Sequence, residues 1–346
     1  MWQVIGQEKA VSLLRRSLET GAVSHAYLFI GPAHSGKMTL ALDLARALNC
    51  EEADIPCGSC DSCHKIDEGK HADVQVTGIT DTEGEGENKS KTEISIEQIR
   101  SIQHAANLPP FEGKYKVFII EGAESLSIEA ANALLKTLEE PENRVVFILL
   151  VSDSALLPET VVSRCQPVEL VPVPASEIEN VLRDTRGVEA EKAALIARLS
   201  RGHFGWAVSA AKDDSLLEQR AEMLDKILDI IESDYEDRFA YSLQLSNRFG
   251  RDRAQVYEQL DLWLDWWRDL LLVKTGAVNT VSNSNRLGEL KEMADGRSLR
   301  QIREFIGNIQ SAGEQLRRNA NARLALEVLM LHIPEAKSEK EVVSSE

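Results

Sequence analysis

Long apolar runs are missing from this 346-residue chain. None approaches the roughly 20 consecutive apolar residues that a membrane-crossing helix needs, which sets a membrane-embedded role aside. Positive charge is also scarce: 39 Lys and Arg stand against 56 Asp and Glu, a formal net charge of −17. Duplex DNA attracts clusters of Lys and Arg, so a chain this acidic is not expected to grip DNA by bulk electrostatics. Any work on DNA would fall to an assembly whose other members carry the positive charge. Met1-Trp2-Gln3-Val4 shows no basic stretch leading into an apolar one, the mark of a secretory leader, and a cytoplasmic location is expected.

What is present points to a water-filled cell compartment and more than one domain. Hydrophobic residues make up 43% and charged residues 27%, ordinary proportions for a folded soluble chain, and the length suggests two or three domains. The first half alternates helices and strands. Helices are expected over 8–19 (with Val11, Leu14 and Leu18 on one face), 38–48, 94–106 and from a Ser127 cap to 140, where Glu129 favours the first turn and Pro141 follows the end. Strands are expected over 26–30, 73–76, 116–120, 145–151 and 168–170. Such alternation implies a parallel α/β sheet. The polar stretch 79–92 reads as a mobile surface loop. After Pro172-Val173-Pro174 the chain turns helical, with short helices to about 212 and a nearly continuous helical pattern over 215–333, broken near 279–285. The charged end, 335–346, reads as disordered. The expected division is therefore 1–172, 173–214, 215–334 and a tail.

Gly31-Pro32-Ala33-His34-Ser35-Gly36-Lys37 fits the first seven positions of the phosphate-binding pattern G-x-x-x-x-G-K-[ST]. A strand enters and a helix leaves, as the pattern requires. Glycines let backbone N–H groups turn inward around phosphate, the helix N-terminus favours the anion, and Lys37 would reach the terminal phosphates. The eighth position is Met38, where a hydroxyl should hold Mg²⁺. Thr39 follows, but one step along a helix is a rotation of about 100°, so its hydroxyl is expected to point elsewhere. The strand over 117–120 leads into Glu121 and Gly122. Glu121 could hold a metal through water, whereas Gly122 has no side chain to act as a base, a loss on the order of 10²–10⁴ in rate. The loop is thus expected to bind ATP or ADP at most, and to hydrolyse poorly.

The cysteines are Cys50, Cys57, Cys60, Cys63 and Cys165, four of them within residues 50–63. Crowding of that kind in a reducing compartment favours metal over disulfide. Four soft thiolates suit a closed tetrahedral zinc site of structural type, with Gly58 and Ser59 fitting the tight turn between ligands. His64 and His71 are nearby competitors for Cys50 as the fourth ligand.

These pieces occur together in one known family. Val4-Ile5-Gly6-Gln7, His25-Ala26-Tyr27-Leu28-Phe29, the phosphate loop, the four-cysteine insertion, the stretch from Ala130 to Pro141 and Ser163-Arg164-Cys165 follow the order seen in bacterial clamp-loader subunits, which this chain resembles over about residues 4 to 165. The resemblance implies an AAA+ P-loop domain, a small helical lid, and an all-α collar through which five subunits join in an open ring. It further implies gamma/tau and delta subunits as partners, and a sliding clamp and primed DNA reached through the complex. Met38, Glu121 and Gly122 depart from the ATP-hydrolysing motor branch, and matching the lid segment 202–207 puts Gly205 where motor subunits carry a sensing arginine. The resemblance therefore implies the non-motor branch. In it Arg164, flanked by Ser163 and Cys165, would reach into a neighbouring motor subunit's site; an arginine taken alone is usually a surface or ion-paired group. The competing readings are an active motor subunit of the same complex and a zinc-dependent nucleic-acid-binding module.

Three further groups carry two readings each. Asn132 and Lys136 lie on one helix face, turned to a neighbour or to water. Trp263, Trp266 and Trp267 share one helix, as core or as an interface hot spot. Arg317, Arg318 and Arg323 form a solvated or ion-paired face, or meet an acidic neighbour.

Overall fold

The computed structural model describes residues 2–52, 55–79 and 93–335. The expectations for the loop 80–92 and for the tail beyond 335 lie outside these residues. Contacts divide the chain into two compact units, Met1–Val181 with Ser200–Ala207, and Leu182–Leu199 with Val208–Glu346.

The first unit runs α1 (Glu8–Glu19), β1 (Ala26–Ile30), α2 (Lys37–Asn49), α3 (Asp61–Asp67), β2 (Val74–Thr77), α4 (Ile96–Ala106), β3 (Lys116–Glu121), α5 (Ile128–Glu139), β4 (Val145–Val151), α6 (Glu159–Val162) and β5 (Gln166–Glu169). The strands form one sheet in the order β2-β3-β4-β1-β5, every neighbouring pair parallel. This is the parallel α/β sheet that the alternation of helices and strands in the sequence implies. Parallel sheets are covered on both faces, so their strands read as unbroken apolar runs, and all seven residues of β4 are buried. Alternation along β1 separates the two cores. Tyr27 and Phe29 pack with Leu14, Leu40 and Leu44 on one face, Ala26 and Leu28 with Ile99, Leu134 and Phe147 on the other.

Local signals set the helix ends. Ser95 caps α4 with a reciprocal box to Gln98, which starts the helix two residues later than expected; Ile94 instead bridges Leu126. The Ser127 hydroxyl accepts from Ala130 N at the start of α5. β2 and β5 are shifted by one or two residues from the expected bounds, within the usual uncertainty of element ends.

α7 (Ala175–Arg186), α8 (Ala190–Leu199) and α9 (Phe204–Lys212) follow, then α10 (Ser215–Glu232), α11 (Tyr235–Phe249), α12 (Arg253–Lys274), α13 (Leu287–Asp295), α14 (Leu299–Arg317) and α15 (Ala322–Leu331). The break after α12 is organised by the buried Asp269 carboxylate, which accepts from Ser282 N, Asn283 N and Asn283 Nδ2. Trp263, Trp266 and Trp267 are each 0% exposed. Trp267 lies 4.5 Å from the Phe305 ring centre, and Trp266 Nε1 donates to Met293 Sδ at 3.3 Å. These tryptophans are core, and the interface reading is withdrawn, since a side chain already enclosed by its own helices has no surface to offer a partner. No described helix is long and apolar enough to cross a membrane.

Candidate functional site

The phosphate loop leaves the carboxyl end of β1, where open α/β sheets bind ligands. Gly31 N donates to Val151 O, tying the loop to β4. A side chain at Gly31 would sit 2.9 Å from Leu170 O, so only glycine fits. Gly36 adopts φ 94° before α2 begins, and His34 is also left-handed at φ 59°. Lys37 opens α2 one residue earlier than expected and folds back, its Nζ donating to Gly31 O at 2.5 Å and Pro32 O at 2.7 Å. Burial pushes its ammonium below the ordinary lysine range, against the pull of Glu124 and Glu121. Met38 packs on the sheet core. A thioether held in apolar packing cannot stand in for the missing metal-binding hydroxyl. Thr39 is half-buried on the next helical position.

At the end of β3, Glu121 is exposed and Gly122 turns left-handed at φ 64°, with nothing within 4 Å of where a side chain would start. Gly205, near the start of α9, donates its N–H to His34 O at 3.0 Å. Gly205, the position that the resemblance matched to a sensing arginine, thus lies directly against the phosphate loop and carries no side chain. His203 is pushed down to about 4, first by burial and then by Arg201, His34 and Lys37. Lys37 and Arg201 are the cations near the loop, with the carboxylates of Glu124 and Glu121 also close to Lys37.

Arg164 follows α6, between buried Val161 and buried Cys165. Its Nη2 donates to Glu139 Oε1 at 2.6 Å and its Nη1 to Thr160 O at 2.8 Å. The side chain is 34% exposed, ion-paired as a lone arginine would be. Ser163 Oγ donates to Thr160 O at 3.3 Å. Burial pushes the Cys165 thiol up to about 12, which makes it a core residue without nucleophilic character.

Cys50, Cys57, Cys60 and Cys63 place their sulfurs within 4.8 Å of one another. Cys57 and Cys63 Sγ stand 3.9 Å apart, against the about 3.8 Å that two thiolates at 2.3 Å from a tetrahedral ion would show. Ser59 N and Cys60 N both donate to Cys57 Sγ at 3.3 Å, and these contacts hold that thiol down to about 6. The residues fit a Cys₄ metal centre. Neither histidine joins them: His64 is exposed, and His71 Nδ1 accepts from Asp73 N.

Comparison with known proteins agrees with this geometry. Residues 6–174 match a family model described as DNA polymerase III, delta subunit. The chain is 28% identical over 333 residues to DNA polymerase III subunit delta' of Bacillus subtilis, covering 95% of this chain and 96% of that one. It is 29% identical over 357 residues to the tau subunit of the same organism, spanning 60% of that protein. A solved gamma subunit-related protein from Thermotoga maritima aligns over 92% of this chain and 98% of its own at 20% identity, with a TM-score of 0.46. The chain is similar over nearly its whole length to subunits of DNA polymerase III.

Several groups in this chain escape a reading by motif. Glu124 Oε1 accepts from Ser152 N at 3.1 Å and from Ser152 Oγ at 2.7 Å, so a carboxylate two residues past Gly122 is held beside β4. Asp43, 0% exposed, accepts from Gln3 N and Val4 N and is ion-paired with Arg46, itself paired with Asp67 of α3 at 2.8 Å. Val4 Cγ2 in turn lies 3.2 Å from where a Gly36 side chain would start. The phosphate loop is thus braced by the N-terminal segment and α3. The Asp73 carboxylate accepts from Phe111, Glu112 and Gly113 N–H. Apart from Asp43 and Arg46, three residues apart on α2, these pairs leave no local spacing to read, because each partner arrives from a distant segment. Of the two-way readings, Asn132 and Lys136 are exposed and Arg323 pairs with Glu327 within its own helix.

Proposed function

We propose that this subunit acts as a non-motor, delta-prime-type member of the replicative clamp loader, lending Arg164 to a neighbouring gamma/tau subunit. The observation that carries this reading is the chemistry missing around the phosphate loop. Met38 packs on the core, Gly122 offers no base, and Gly205 faces His34 without a side chain. Lys37, Gly31 and Gly36 would hold the phosphates of ATP or ADP; Thr39 and Glu121 complete the remnant site. Such a nucleotide would set its phosphate charge against Lys37 and the N-terminus of α2. Zn²⁺ held by the four cysteines would supply a cross-link that closes a loop too short for its own core. Residues 173–214 would form the lid and 215–334 the collar joining gamma/tau and delta, with the sliding clamp and primed DNA engaged through the ring.

In this mechanism ATP is cleaved in the neighbour's site. The Arg164 guanidinium stabilises the negative charge on the phosphoryl group in transit, an effect worth about 10³–10⁵ in rate for a finger supplied in trans. The test is reconstitution with gamma/tau and delta. Arg164→Ala should lower DNA-stimulated ATP hydrolysis while the ring still assembles; unchanged hydrolysis would remove the assignment. Purified protein should also carry about one zinc per chain, and a metal-free preparation of unchanged thermal stability would contradict a structural centre.

A second reading, an active motor subunit, is favoured by the tau relative, which is as similar as the delta' one. It requires that the isolated chain hydrolyse ATP with magnesium, that Lys37→Ala abolish this, and that Arg164→Ala leave it intact.

A further inference from the structure

The surroundings of Arg164 assign a role to Glu139, which lies in the Ala130 to Pro141 stretch and has been given none so far. Glu139 is the last residue of α5, whose Leu134 and Leu138 are 0% and 2% exposed, so its backbone stands on a packed platform. Arg164 rises from a similarly fixed stretch, with Val161 0% exposed and Arg164 N donating to Val161 O at 3.1 Å. Across the gap between α5 and α6, Glu139 Oε1 accepts from Nη2 at 2.6 Å and Thr160 O accepts from Nη1 at 2.8 Å, with Ser163 Oγ further from Nη1 at 3.5 Å.

An arginine side chain carries several rotatable bonds, and holding it in one rotamer costs entropy. Two acceptors on separate helices fix the plane of the guanidinium as well as its position. The group presents N–H donors in a rigid fork. With these contacts made, Nε–H and one Nη2–H have no partner among the described residues. A phosphoryl oxygen pair could be met by that remaining edge without release of either anchor.

We infer that Glu139 is a positioning residue for the trans-acting Arg164: its carboxylate pre-orients the guanidinium so that the free edge meets the neighbouring subunit's nucleotide phosphates. The inference rests on the proposed trans role of Arg164. Pre-orientation lowers the cost of reaching the transition state and leaves ATP binding in the neighbour's site alone, so it belongs in kcat and not in KM.

The experiment is steady-state ATP hydrolysis by the complete reconstituted clamp loader with sliding clamp and primed DNA, using Glu139→Ala, Glu139→Gln, Arg164→Ala and the Glu139→Ala/Arg164→Ala pair. Glu139→Ala should lower kcat by roughly three- to tenfold with KM for ATP within about twofold. Glu139→Gln keeps an oxygen to accept from Nη2 and should recover to within about twofold of the parent. The double variant should be no slower than Arg164→Ala alone, because a residue acting through Arg164 has nothing left to act on once it is gone. An unchanged or raised kcat for Glu139→Ala, failure of Glu139→Gln to recover, or an additive loss in the double variant would overturn the assignment. Should Arg164→Ala itself have no effect, the trans role falls and this inference with it. A defective Arg164→Ala beside a normal Glu139→Ala removes the inference alone.

Discussion

The phosphate loop and the Arg164 edge belong to the same compact unit and have been treated in opposite ways. Around the loop the scaffold is complete: glycine geometry at Gly31 and Gly36, Lys37 on two loop carbonyls, and the Asp43–Arg46–Asp67 network behind it. What is lacking is chemical, at Met38, Gly122 and Gly205. Around Arg164 the reactive group is present and held at both of its terminal nitrogens. On the reading proposed above, the architecture of one site would be kept for its mechanical value while the chemistry is supplied from another face of the domain.

The contrast can be broken most directly at Arg164. Arg164→Ala should slow hydrolysis at the site it serves by about 10³-fold or more, read as ATP turnover of the reconstituted complex, with the melting temperature unmoved. An equal loss on removing Lys37 would erase the distinction between the two regions.

The scaffold's mechanical value is tested next. Arg46→Ala leaves the buried Asp43 without its counter-ion and should cost about 3–4 kcal/mol in chemical denaturation, with complex ATPase per folded molecule preserved. A cost near zero would mean the network behind the loop is incidental.

Asp73 sharpens the comparison from a region serving neither site. Burial alone would raise its carboxyl, but the N–H groups of Gly113, Phe111 and Glu112, helped by His71, hold it below the ordinary range. Asp73→Ala should cost about 2 kcal/mol at neutral pH. A depressed carboxyl stabilises the fold above its unfolded-state value of about 3.9. The gap between parent and variant should therefore stay constant down to about pH 4 and close as the pH falls through the folded-state value. A gap that widened in acid would reverse the assignment of that carboxylate as charged in the fold.

The smallest effect is expected at Lys37. Lys37→Ala should change hydrolysis by the reconstituted complex less than about twofold if, as proposed, the lysine serves a site that does not turn over. Its effect should appear in nucleotide retention by the isolated chain, measured by release of a fluorescent analogue.

Much of this architecture was legible before any coordinates. β4 reads as a strand because all seven residues are apolar, and α5 starts where Ser127 can accept from Ala130 N. The phosphate loop and the cysteine spacing are equally local. The pairs that escaped are those that need the sheet order first. Glu124 reaches Ser152 only because β3 and β4 are neighbours. Glu139 reaches Arg164 only because α5 and α6 close on each other. The tryptophans of α12 were ambiguous for another reason, since spacing identifies a shared helix face but not what covers it.

The close approach of Gly205 to His34 leaves little room for a side chain beside the phosphate loop. A methyl group there would stand 3.2 Å from the His34 carbonyl oxygen, so a longer side chain at this position requires the loop backbone to give way by a few tenths of an ångström. Gly122, with nothing within 4 Å of where its side chain would start, carries no such barrier. If the subunit is the non-motor member proposed above, engineering ATP turnover into it would meet steric resistance at Gly205 and not at Gly122.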